Sequence, residues 1–129
     1  MSSDAIETVR AVYDASSAGD TAAIVARTSP DIRIEQTPEL PWGGVYEGME
    51  GFSRFMHTLR EHIASRVTVE RIFAAGEDAV VVGRTIGTTK AKETPFDVAI
   101  AHVLTVRDGK IVWARYFIDT PAMLAALRA

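Results

Sequence analysis

The spacing of apolar positions changes from helical to alternating twice along this chain. Over residues 4–17, Ile6, Val9, Val12 and Tyr13, followed by Ser16 or Ser17, recur at helical spacing and predict an amphipathic helix. Ser2, Ser3 or Asp4 is placed to cap it. Ala18-Gly19-Asp20 stops it, and Asp20 offers a cap to a short second helix over about 21–28. That helix ends before Ser29-Pro30, because proline disfavours helical geometry in the residue preceding it. At Asp31–Gln36 the period drops to two, which predicts a strand with Ile32, Ile34 and, unusually, the polar Gln36 on one face. The prolines and glycines of residues 37–44 mark a loop. After Val45-Tyr46-Glu47, helical spacing returns in Phe52, Phe55, Met56, Leu59 and Ile63, predicting a third helix over Met49–Ala64.

The remainder reads as sheet: Val67–Ala74, Ala79–Thr89, Pro95–Arg107 and Lys110–Ile118, then a short helix over 121–128 with Pro121 at its first position and Asp119 or Thr120 as cap. Asp108-Gly109 is a strong hairpin signal. Two helices, a strand, a helix and a meander specify an α+β fold in one domain, residues 1–129. Helices cover one face of a strongly curved, mostly antiparallel sheet, a cone-shaped barrel around an internal pocket. The other face carries Ala99, Ala101, Val103 and Thr105 on the third strand of the meander. That row is too apolar to face water alone, so a homodimer through the outer sheet face is expected.

Composition narrows the function classes. Hydrophobic residues make up 47% and charged residues 24% of the 129, and a net charge of −3 without long charge blocks argues against nucleic-acid and anionic-membrane partners. The absence of cysteine removes thiolate chemistry, disulfides and cysteine metal sites, and it fits a cytoplasmic location. No signal-peptide pattern and no apolar run of roughly 18 residues or more is present. No nucleotide-binding glycine motif or hydrolase serine elbow occurs, so no cofactor is expected. His57 and His62 on the third helix lack zinc-motif spacing and read as solvated, and no metal is expected.

His102 is the main candidate for chemistry. It lies in Val98-Ala99-Ile100-Ala101-His102-Val103-Leu104 and alternates onto the face of Val98, Ile100 and Leu104. If that face is the covered one, burial lowers the imidazole pKa and yields a neutral general base or hydrogen-bond donor. The other reading is a hydrogen-bonded core histidine. Its cross-strand neighbour depends on the hairpin. A two-residue Asp108-Gly109 loop pairs His102 with Arg115, whereas a three-residue Arg107-Asp108-Gly109 loop pairs it with Ala114 and puts Tyr116 on its face. Arg84 shares a face with Val80, Val82 and Ile86; inside it needs an anionic partner, outside it is an ordinary surface arginine. Trp42 and Tyr46 flank Gly43-Gly44 and form either a lid over the cavity or packing.

The order of several motifs resembles the nuclear transport factor 2-like superfamily, in particular its SnoaL-like and ketosteroid isomerase-like members. They are Ala18-Gly19-Asp20, Trp42-Gly43-Gly44-Val45-Tyr46-Glu47-Gly48 leading to Gly51-Phe52, Val106-Arg107-Asp108-Gly109-Lys110-Ile111, and Asp119-Thr120 before the last helix. The resemblance covers nearly the whole chain and is more specific for fold than for function. It implies that Gln36 stands where ketosteroid isomerases carry their carboxylate base. It also implies that Val12, with Tyr13 beside it, stands for their oxyanion-hole tyrosine and His102 for their protonated aspartate. Against limonene epoxide hydrolase-like members, Arg84 matches the arginine of an Asp-Arg-Asp set whose aspartates fall on Ile86 and Tyr116. The acid/base aspartate of SnoaL-like cyclases also falls on Tyr116, which places Tyr116 inward and favours the bulged hairpin.

The expected site therefore has His102 and Tyr116 as catalytic candidates, with Gln36, Trp42, Tyr46, Arg84, Phe55 and Tyr13 contacting a small hydrophobic ligand. Three functions fit. One is proton transfer on a small apolar carbonyl compound, as an isomerase, cyclase or dehydratase, with His102 as acid/base. The others are a non-catalytic hydrophobic-ligand binder and a dimeric assembly module.

Overall fold

A computed structural model describes residues 2–129, with side chains from Ala5 onward. The expected cap from Ser2, Ser3 or Asp4 rests on side chains outside the described residues. Helix α1 runs Ser2–Ala18 and turns its Ala5, Thr8 and Val9 side inward. Helix α2 (Thr21–Ala26) starts where Asp20 accepts a hydrogen bond from the Ala23 amide at 3.1 Å. It ends two residues earlier than expected, because the chain is already extended at Thr28. Strand β1 is Thr28–Gln36 and contains Pro30. Its register against its parallel neighbour shifts between Thr28 and Arg33, so Pro30 sits in an irregular stretch where its missing N–H breaks no ladder bond.

Strand β2 (Gly44–Glu47) leads into α3 (Gly48–His62). The expected third helix ran to Ala64. Instead Ile63 is extended, with φ −140° and ψ 152°, and opens strand β3 (Ile63–Ala75). Its place in the apolar stripe was genuine, since Ile63 is buried, but it is buried from a strand. Strands β4 (Asp78–Thr89), β5 (Pro95–Arg107) and β6 (Lys110–Ile118) complete the sheet. Helix α4 (Thr120–Arg128), capped by Asp119 through the Ala122 amide at 3.2 Å, lies against β5 and buries Met123 completely.

The six strands form one open mixed sheet in the order β2-β1-β6-β5-β4-β3, with only β1 and β6 parallel. Helix α1 packs on β3, β4 and β5, and α3 on β1, so the helices share the concave face. Two glycines on the inner face of β4 make the curvature possible. A Cβ on Gly83 would lie 2.1 Å from the Thr68 carbonyl oxygen, and one on Gly87 would lie 2.0 Å from that of Ala64. Strand β3 therefore folds over β4 into space that any other residue would fill.

The β5–β6 hairpin combines features of both expected registers. Its loop is the two-residue one: Asp108 and Gly109 have φ of 53° and 73°, and Arg107 pairs with Lys110. The register then shifts. Val106 faces Ile111 but Thr105 faces Trp113, so Val112 is an extra, bulged residue. The shift pairs His102 with Tyr116 itself, rather than with Arg115 or Ala114. Tyr116 faces inward as expected, but through a bulge within β6 and not through the loop.

Candidate functional site

The concave sheet and the helices enclose a cavity of about 190 Å³. Its wall is mostly aliphatic and aromatic. Ile32 and Ile34 come from β1, Phe52, Phe55, Met56 and Leu59 from α3, and Ile100 and Leu104 from β5. Among the described residues no Asp, Glu, Lys or Arg lines it. Its principal polar groups are Tyr13, Gln36, Trp42, Thr85, His102 and Tyr116.

His102 is 9% exposed and shares the inner face of β5 with Val98, Ile100 and Leu104, as its alternation requires. Its Nδ1 lies 2.5 Å from the Tyr13 hydroxyl on α1. The Tyr116 ring meets the imidazole edge-on, with centroids 4.6 Å apart and planes at 67°, and stacks on Phe55 at 5.5 Å. Burial drives all three ionisations toward the neutral form. The imidazole pKa falls from 6.5 to about 3, the Tyr116 phenol rises to about 12, and the Tyr13 phenol is raised by burial and then by Tyr116. At neutral pH the cavity thus carries no formal charge on its titratable groups. Neither His102 Nε2 nor the Tyr116 hydroxyl has a hydrogen-bond partner among the described residues, and neither atom is sealed away from the cavity.

Gln36 lines the cavity, and its side-chain amide is engaged within the wall. Its amide N–H donates to the Tyr116 carbonyl at 3.3 Å, and its Oε1 accepts from the Trp42 indole N–H at 3.2 Å. It braces β1, the following loop and β6, and it makes no hydrogen bond to His102. Trp42 is 1% exposed and packs in the cavity wall, the second of the two alternatives its position left open. Tyr46 does not reach the cavity: its hydroxyl donates to the carbonyls of Trp42 and Gly43 at 3.1 and 3.4 Å, and its ring packs edge-on to Phe55 at 5.3 Å. Hydrogen bonding across this loop holds both aromatics in place. Arg84 lies on the outer face, because Val81, Gly83 and Thr85 take the inner one, and it pairs with Asp97 on β5. It is not a cavity residue. His57 is solvated, with Glu61 at 3.6 Å, but His62 is half-buried, its ring 6.1 Å from that of Trp42.

The pairing of Tyr13 with His102 is the contact that sequence reasoning missed. Tyr13 was singled out as a ligand contact next to Val12, and nothing in a run of 89 residues signals that α1 sets it against β5. Among the described residues no group of three or more His, Cys, Asp or Glu could hold a metal ion, and no helix is long and apolar enough to cross a membrane.

The SnoaL-like domain family model matches residues 9–114. Solved structures give the same fold. A nuclear transport factor 2-like protein of unknown function from Burkholderia pseudomallei is 25% identical over 98% of each chain, with a TM-score of 0.89. A nuclear transport factor 2-like protein from Burkholderia thailandensis is 28% identical over 96% of this chain and 97% of its own, with a TM-score of 0.88. TerC, crystallised with polyporic acid, is 22% identical over 98% of this chain and 99% of its own, also at 0.88. No curated protein matches the sequence.

Proposed function

This chain belongs to the SnoaL-like domain family, and we propose that its cavity binds a small, neutral, mostly apolar ring compound through one carbonyl or enol oxygen. One observation carries the reading. His102 Nε2 and the Tyr116 hydroxyl are left without protein partners in a mostly apolar, uncharged chamber. Both atoms are open to the cavity, so a ligand oxygen that replaces water there keeps their hydrogen bonds while its ring covers the apolar wall. An anion would enter without a counter-charge and pay its full desolvation. A cavity of about 150 Å³ admits benzene, so 190 Å³ suits a substituted single ring. TerC, of the same fold, was crystallised with polyporic acid, which agrees with small-molecule binding in this architecture.

Acetophenone tests this against benzoate, its anionic counterpart. Calorimetric titration is expected to show acetophenone binding at least tenfold more tightly than benzoate, and Tyr116→Phe weakening acetophenone about three- to tenfold. Equal or tighter binding of benzoate would overturn the reading. A second reading is the enzyme, with His102 as acid/base in an isomerisation, cyclisation or dehydration and Tyr116 stabilising the oxyanion. What favours it is an imidazole nitrogen, Nε2, facing the cavity without a protein partner, and it requires the tautomer in which Nδ1 carries the proton and Nε2 the lone pair. Acetophenone in D2O separates the two: catalysed exchange of its methyl protons, lost in His102→Ala, supports the enzyme, and binding without exchange supports the carrier.

The outer face supports a homodimer. Val80, Val82, Ala101, Val103 and the 55%-exposed Phe117 form an apolar centre. Arg84–Asp97 lies at one end and Asp78–Arg115 at the other. An apolar patch ringed by paired charges is suited to a second copy of itself.

A further inference from the structure

We propose that Tyr13 is a positioning residue: by donating its hydroxyl proton to Nδ1 of His102, it fixes the imidazole as the Nε2–H tautomer and so turns an N–H into the cavity. This rests on the carbonyl-site reading for its consequence but not for its test. The hydrogen bond between Tyr13 Oη and His102 Nδ1, at 2.5 Å, can be made in two ways. If Nδ1 carries the proton and donates, the phenol proton is left with no acceptor, and Nε2 is a bare lone pair in an apolar chamber. If the phenol donates, its proton is satisfied and the free groups are one N–H and the phenol lone pairs. The second arrangement orphans fewer strong hydrogen-bonding groups, and a phenol is a better donor than acceptor opposite an imidazole nitrogen.

The surroundings hold this choice in place. No carboxylate or backbone carbonyl competes for Nδ1 among the described residues. The Tyr116 ring abuts the imidazole edge-on at 4.6 Å, and the Tyr13 ring lies 5.9 Å from it, which restrains the imidazole from turning over. The titratable groups facing His102 from the elements packed against it are Tyr13 and Tyr116, and burial keeps both protonated. Passing the Tyr13 proton fully to Nδ1 would leave a buried phenolate, which the same burial opposes. The resting site therefore presents two donors to one oxygen, Nε2–H and the Tyr116 O–H, and His102 acts by hydrogen bonding rather than by accepting a proton.

The test reads the tautomer directly. In the full-length 15N-labelled chain at pH 7, long-range 1H–15N correlation spectra are expected to show His102 with a protonated Nε2 and an unprotonated, hydrogen-bond-accepting Nδ1. The exposed His57 serves as the reference for a solvated ring. Tyr13→Phe is expected to move the His102 nitrogens toward a mixture of tautomers. A dominant Nδ1–H form in the unmodified chain, or nitrogen shifts unchanged by Tyr13→Phe, would overturn the proposal. If the variant does not fold, the unmodified spectrum still decides. Failure of acetophenone to bind while the tautomer is as expected removes the carbonyl reading and leaves Tyr13 in its role.

Discussion

At the scale of single residues, the burial of His102 has a consequence for stability that needs no ligand. In the unfolded chain an imidazole titrates near 6.5, whereas in the fold it resists protonation until about pH 3. Below pH 6.5 the unfolded state therefore binds a proton that the native state does not. The contribution is complete above pH 6.5, falls as the pH drops, and levels off near pH 3. Between pH 7 and pH 4.5 the loss from this one group is about 2–3 kcal/mol. Urea unfolding of the unmodified chain and of His102→Gln at both pH values checks this, because the carboxylates cancel between them. Equal losses in the two proteins would show that His102 is not buried neutral. Tyr116 was placed inward only by the family resemblance, whereas His102 was legible in the sequence, because alternation is local. The link to Tyr13 was not, because it spans 89 positions and depends on how α1 crosses the sheet.

At the scale of elements, the strands were found where the period indicated, and their boundaries moved where two patterns overlap. Ile63 satisfies both the helical stripe of α3 and the first inward position of β3, so the local pattern could not separate them. The bulge at Val112 is equally silent, since one residue pushed out of a ladder leaves no change in composition. Yet without it Tyr116 would point outward. Gly83 and Gly87 carry the curvature and yield a prediction with an unusual sign. Glycine to alanine in an open strand interior stabilises by roughly 0.5–1 kcal/mol. Gly87→Ala instead places a Cβ about 2.0 Å from the Ala64 carbonyl oxygen and is expected to destabilise by about 1–3 kcal/mol. The shift in urea midpoint measures it, and a stabilised Gly87→Ala would mean that β3 does not press on β4 as described.

At the scale of the whole molecule, the sheet has two faces with different fates. The concave face is filled by α1, α3 and the cavity, and the convex face exposes Phe73, Ile86 and Phe117. If the proposed homodimer uses that face, Phe117→Glu places a charge at the centre of the interface. It is expected to convert a dimer to a monomer with an unchanged far-ultraviolet circular dichroism spectrum. Sedimentation velocity reads the mass, and an unmodified chain that stays monomeric at high concentration would remove the proposal. Thr105, expected in this outer row, is only 6% exposed, and its hydroxyl donates to Asp78 at 2.5 Å. The row is therefore bounded by polar contacts within the chain and is narrower than its sequence suggests.

The sequence alone determined the α+β class, the order of the elements, the inward row of β5 and the identity of His102 as the polar residue in it. Each of these follows from periodicity and turn chemistry, which act over a few residues. The tertiary structure decided whether that histidine has a partner, which of its nitrogens is engaged, that Arg84 faces away from the cavity, and that Gln36 braces the wall. Those outcomes depend on which surfaces meet when α1 and α3 close over a curved sheet, and that curvature arises from two glycines and a bulge whose effect appears only once the strands are paired.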